Sequence, residues 1–137
     1  VEFYCLFQKI IRSLSVTKLI YMATEDEVSQ FLSQFQTKLT IFNIVFVDRE
    51  KNRNALMELG ITSNMRLEII KNLVVEDYSH TITDNLLYGY GEMWVFGKDL
   101  NGEEIYIKIS LGKANKSTIC ISFHKAEQKM AYPYKNN

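Results

Sequence analysis

Hydrophobic positions in this chain repeat first at helical and later at strand spacing. Thr24-Glu25-Asp26-Glu27 reads as a capping box, in which the Thr24 hydroxyl and the Glu27 carboxylate satisfy free amide groups of a first turn. Behind it Val28, Phe31, Leu32, Phe35 and Leu39 line one face, so a helix is predicted from Glu25 to about Lys38. Thr40 to Val47 is rich in Ile, Val and Phe and reads as a strand, ended by the charged turn Asp48-Arg49-Glu50-Lys51. A short helix follows from Asn54 to Leu59 with Gly60 as its stop, and Thr62 caps a further helix from Ser63 to Leu73. Val75 to Gly91 has little periodicity and reads as an ordered loop or short helix. Alternation then takes over in three runs, Glu92 to Lys98, Glu104 to Ser110 and Thr118 to His124. The expectation is an α+β fold: N-terminal helices packed on one face of a small antiparallel sheet that ends in a three-stranded meander.

The parity of those runs sorts their chemistry. Ile105, Ile107 and Ile109 share one face of their strand, and Tyr106, Lys108 and Ser110 share the other. In the last run Ile119, Ile121 and Phe123 are expected to face a core, with Cys120, Ser122 and His124 turned away. Pairing of these strands brings Tyr106, Lys108 and His124 onto one face, where an imidazole beside a phenol and an ammonium suits acid/base work on an anionic substrate. The plain alternative is a solvated sheet face. Trp94 and Phe96 read as core aromatics rather than base-stacking platforms.

Upstream of the capping box, Phe3, Leu6, Phe7, Ile10, Ile11 and Leu14 form a helical stripe interrupted by Lys9 and Arg12, too short and too charged to span a membrane. A start at Met22 is the simplest account. Residues 1–21 are then an upstream extension or an appended helix, and 22–137 one domain. The chain has 137 residues, 47% of them hydrophobic, which is ordinary globular material. Sixteen basic residues balance sixteen acidic ones, so net charge offers no argument for nucleic acid. From Glu92 onward, however, seven lysines face five carboxylates, a local excess of two cations. Lys98, Lys113, Lys116 and Lys125 are its candidates for contact with a phosphate backbone. Cys5 and Cys120 form no zinc spacing and no disulfide framework, which fits a reducing cytoplasm. The only histidines are His80, read as a surface loop residue or a second catalytic histidine, and His124. No metal motif or phosphate loop is present, so neither metal nor cofactor is expected.

Three stretches carry a family likeness: Ala55-Leu56-Met57-Glu58-Leu59-Gly60-Ile61-Thr62, then Leu73 to Ser79 with Glu76-Asp77-Tyr78, and Met93-Trp94-Val95-Phe96-Gly97-Lys98 through Ile105-Tyr106-Ile107-Lys108-Ile109 to Ile119-Cys120-Ile121-Ser122-Phe123-His124. Together they resemble the MqsR-type toxins of bacterial type II toxin-antitoxin systems, small ribonucleases with a RelE-like fold, over roughly Met22 to Lys135. The resemblance implies cleavage of messenger RNA without metal and neutralisation by an antitoxin, a helix-turn-helix DNA-binding protein encoded next door. Tyr106 and Lys108 match the family tyrosine and the lysine two residues on. His124, with Lys125 beside it, takes the place of a basic residue after the S-F pair. A family glutamine corresponds to Met93, and a family lysine falls near Ser79 and His80.

The chemistry can be argued independently. The 2′-hydroxyl of RNA can attack its own phosphate if a base takes its proton, cations stabilise the added negative charge and an acid meets the leaving 5′-oxygen. His124 suits base or acid, Lys108 and Lys98 suit the phosphate, and Tyr106 suits a donor or orienting group. The rival expectation is a non-catalytic module that docks a protein partner on the polar face of the meander.

Overall fold

The structure, a computed structural model, describes residues 18–84 and 91–136. Strand β1 (Lys18–Tyr21) precedes helix α1 (Glu25–Phe42), strand β2 (Ile44–Phe46) and helices α2 (Glu50–Leu59) and α3 (Ser63–Lys71). A single 3-10 turn at Val75–Asp77 leads into β3 (Tyr78–Asp84), β4 (Gly91–Leu100), β5 (Glu103–Ser110) and β6 (Thr118–Lys125). The strands form one six-stranded sheet in the order β1-β3-β4-β5-β6-β2, antiparallel except where β2 runs parallel to β6.

The capping box forms as expected: the Glu27 amide donates to the Thr24 hydroxyl and the Thr24 amide to the Glu27 carboxylate, each at 3.2 Å. All five stripe residues of α1 are buried. The helix continues past Lys38, however, and absorbs Thr40, Ile41 and Phe42. Thr40 sends its hydroxyl to the Gln36 carbonyl at 2.9 Å, and the helix stops only where Asn43 turns to a φ of 66°. A β-rich composition there loses to continuation of an established helix, because each added residue makes a further backbone bond. The strand is therefore three residues long. The run expected as a charged turn opens α2, which begins four residues ahead of Asn54.

Tyr78–Asp84 is the larger departure from expectation. This segment is a strand pairing with β1 on one side and β4 on the other, and His80 lies within it rather than in a surface loop. Lys18–Tyr21 is a strand too, so those four residues are not part of an appended helix. The helical stripe before them, Cys5, and most of the Gly89-Tyr90-Gly91 signal lie outside the described residues.

The helices cover one face. There Phe31 stacks on Trp94 at 4.3 Å, and Phe96, Ile105, Ile107, Ile109, Cys120 and Phe123 complete a core in which the two β4 aromatics are buried, as expected. Strand β6 departs from its predicted parity. Lys108 lies opposite Ser122, but Ile109 lies opposite Cys120, so Ile121 has no partner and the register slips by one. This bulge re-aims the chain on either side of it. Phe123 and Cys120 enter the helix-side core, while Ile121 and Ile119 join Ile82, Met93, Val95 and Tyr106 on the reverse face.

Among the described residues, the reverse face has no helix in its apolar cluster. It is crossed by the segment after β6, which Glu104 holds: the Met130 amide donates to one carboxylate oxygen at 2.9 Å and the Tyr132 hydroxyl to the other at 2.8 Å. Gly97 lies beneath the Tyr132 ring, where a Cβ would overlap the hydroxyl.

Candidate functional site

Cross-strand register arranges the reverse-face side chains in two rows. His80 on β3, Val95 on β4, Lys108 on β5 and Ser122 on β6 stand opposite one another in sequence across the sheet. The next row runs Gly97, Tyr106, His124. A cavity of about 590 Å³ opens above them, walled by Arg49 and Lys51 at the start of α2 and by the crossing segment from Glu127 to Ala131.

Tyr106 and His124 stack, with ring centroids 5.3 Å apart and planes within 12°. His124 Nδ1 lies 2.9 Å from the Lys125 carbonyl. A carbonyl can only accept, so Nδ1 carries the hydrogen of that bond and Nε2 is the ring nitrogen left to act as a base. Burial raises the Tyr106 phenol above its ordinary value, against an opposing pull from Arg49, so it is protonated at neutral pH. Lys108 is buried, with only 7% of its surface exposed. His80 is half-buried, and burial, with Lys108 close by, lowers it below the ordinary imidazole value. Strands are ~4.8 Å apart, so His80 and Lys108 are separated by about 10 Å at the backbone, and His80 occupies the opposite end of the cavity from the Tyr106–His124 pair.

The cavity is cationic. Arg49, Lys51, Lys108 and Lys129 line it with the single carboxylate of Glu127, which is paired with Lys51. That hydrogen bond and charge hold the Glu127 carboxyl below its usual range. Four basic side chains and two imidazoles thus line the space against one carboxylate. An anion is the ligand such a lining favours.

Of the expected residues, Tyr106, Lys108, His124 and His80 all line this cavity. The four lysines expected on RNA do not. Lys98 pairs with Asp77 at 3.1 Å and belongs by parity to the helix side of β4. Lys125 faces Glu103 at 3.5 Å. Lys113 and Lys116 are exposed in the β5–β6 turn, where the Lys113 carbonyl accepts from Lys38 at 2.6 Å. Met93 is fully buried in the floor. Ser79 is at the cavity beside His80, its hydroxyl 2.9 Å from His80 Nδ1.

Arg49, Lys51 and the crossing segment were absent from the expected set. The available signal was local: the four charged residues read as a turn include an arginine at a helix N-cap, where Ser, Thr, Asp or Asn is the rule. Cys120 is excluded as a nucleophile, because burial pushes its thiol up to about 12. No group of three or more metal-ligating side chains occurs among the described residues, and no helix among them is long and apolar enough to cross a membrane.

A sequence model of the protein family described as "Motility quorum-sensing regulator, toxin of MqsA" matches residues 27–125, from the first turn of α1 to the end of β6. Comparison with curated proteins and with solved structures returns no match.

Proposed function

The chain belongs to the family of the motility quorum-sensing regulator, the toxin of MqsA, and from that membership we propose that this toxin of a toxin-antitoxin system acts as a metal-independent endoribonuclease on messenger RNA in the cytoplasm. The observation that carries the reading is the stacked Tyr106–His124 pair beside the buried Lys108 in a cationic cavity. Family membership also implies an antitoxin partner. A helix-turn-helix protein encoded next door is the proposed form of it.

In the proposed reaction His124 Nε2 takes the proton of a 2′-hydroxyl, whose oxygen forms a bond to the adjacent phosphorus. Lys108 stabilises the extra negative charge on the phosphoryl oxygens, and the bond to the 5′-oxygen breaks. Tyr106, protonated at neutral pH, delivers its proton to the departing oxygen and recovers one from water. The products are a 2′,3′-cyclic phosphate and a 5′-hydroxyl. Because Lys98, Lys113, Lys116 and Lys125 lie outside the cavity lining, their proposed part is limited to RNA leading away from the cut.

The test is cleavage of an RNA oligonucleotide in excess EDTA, with the product ends identified. General acid/base groups contribute ~100-fold to 10,000-fold, so His124→Ala should lose activity on that scale while melting normally. Activity that disappears with EDTA and returns with magnesium, or that survives His124→Ala, sinks the mechanism.

A further inference from the structure

Arg49 stands at the N-cap of α2 without the side-chain bond that an N-cap normally supplies. A helix start that breaks the local rule calls for a reason elsewhere. Here the guanidinium reaches away from its own helix and across to β6, where Nη1 donates to the Ser122 hydroxyl at 3.3 Å. Ser122 stands opposite Lys108 in the same cross-strand row. Arg49 therefore bonds the serine that stands opposite Lys108, and the stacked Tyr106–His124 pair forms the next row along.

The approach of Arg49 to β6 is built rather than incidental. Three residues on, the Asn52 amide donates to the Ile121 carbonyl at 2.8 Å and accepts from the Phe123 amide at 3.1 Å, so the first turn of α2 is fastened to the strand on both sides of Ser122. A second bond from Asn52 to the Val47 carbonyl at 3.0 Å ties the same turn to the residue after β2. Arg49 is half-buried at the cavity wall, and its charge acts on the Tyr106 phenol.

We infer that Arg49 is a substrate-contacting residue of this site, clamping the scissile phosphate from the side opposite Lys108 above the Ser122 hydroxyl. The assignment rests on the ribonuclease reading above. A planar guanidinium offers two parallel N–H donors to two phosphoryl oxygens, which a lysine cannot do. Lys108 supplies a point charge from the sheet floor, and Arg49 supplies the fork from the wall. The two cations approach from different elements, so the phosphate is fixed in orientation as well as neutralised. That orientation is what an in-line attack next to His124 requires.

The experiment uses the full chain and two probes: a cleavable RNA oligonucleotide, and the same oligonucleotide fully 2′-O-methylated, which binds without reacting. Removing one charge-stabilising donor costs ~100-fold to 1,000-fold in kcat, and Arg49→Ala should show a loss of that order with a much smaller change in KM. The slope of log affinity against log salt for the methylated probe should fall by roughly 0.7, the value for one phosphate contact on a single strand. Lys71→Ala, whose side chain lies 3.9 Å from Glu68 at the end of α3 and outside the cavity, should alter neither readout by as much. If the unaltered protein cleaves and Arg49→Ala keeps both kcat and salt slope, the clamp is overturned and the ribonuclease reading stands. If the unaltered protein binds the methylated probe but cleaves nothing, the ribonuclease reading falls and the salt slope alone decides the clamp. If it binds neither probe, both fall. Should Arg49→Ala fail to fold, Arg49→Lys decides: it keeps the charge and loses the fork, so reduced kcat supports the clamp and unchanged kcat overturns it.

Discussion

Asn52 uses both amide hydrogens and a carbonyl lone pair on backbone groups of Val47, Ile121 and Phe123. Past Val47 it takes over from β2 as the hydrogen-bonding neighbour of β6, a side chain standing in for a strand. Asn52→Ala would leave three backbone groups to find other partners, two of them in a buried setting, and a loss of about 3 kcal/mol is expected in urea unfolding, against near neutrality for the exposed Asn54→Ala. His80 makes a prediction of a different kind. Its folded-state value is lowered by burial and by Lys108, so the unfolded chain binds the proton more readily than the native one. Stability should therefore be full above the unfolded value of about 6.5 and decline as pH falls below it. Melting temperature followed across that window should drop less steeply for His80→Gln; a variant as steep as the unaltered protein would exclude His80 as the source.

At the scale of elements, the meander and the first helix were legible because each has a clean period: 3.6 after a capping box, and two in the runs containing Tyr106 and His124. Three things were not. Tyr78–Asp84 is a strand whose centre, Ser79-His80-Thr81, offers no alternating apolar set, because its outward side faces the cavity and its pairing comes from neighbours on both sides. The slip at Ile121 is invisible in sequence, since an extra residue in a strand leaves composition untouched while reversing parity on one side of it. The ends of α1 and α2 were misjudged where β-branched and charged residues carry weak preferences that a continuing helix overrides. Strand β1 yields the prediction for this scale. Leu19 and Ile20 are 64% and 63% exposed, and Tyr21 donates its hydroxyl to the Glu92 carboxylate at 2.7 Å. A chain beginning at Met22 should keep the fold and the activity, with a melting temperature lower by only a few degrees. Failure to fold would show that the β1–β3 pairing is indispensable.

For the whole molecule, the division into two faces is the governing feature. Helices pack against one side of the sheet and supply the core, which leaves the other side available for chemistry. The side chains of Tyr106 and Lys108 reach the cavity for the same reason that Ile105 and Ile107 reach the core: alternation along one strand serves both layers. The family match spans residues 27–125, and the legible part of the candidate site, Tyr106, Lys108 and His124, lies on β5 and β6 within it. The wall that completes the site comes from Arg49, Lys51 and the residues after β6, which no repeat in the sequence announces.

The segment from Glu127 to Ala131 reaches that wall from outside the sheet and is held there by the two oxygens of Glu104, with Tyr132 resting on a backbone position that has no side chain. It is fastened to β5 through side chains, and farther along the Tyr134 ring stacks on Tyr78 of the helix-side core. The residues after β6 thus tie the two faces of the sheet together, one carrying the apolar core and the other the candidate site.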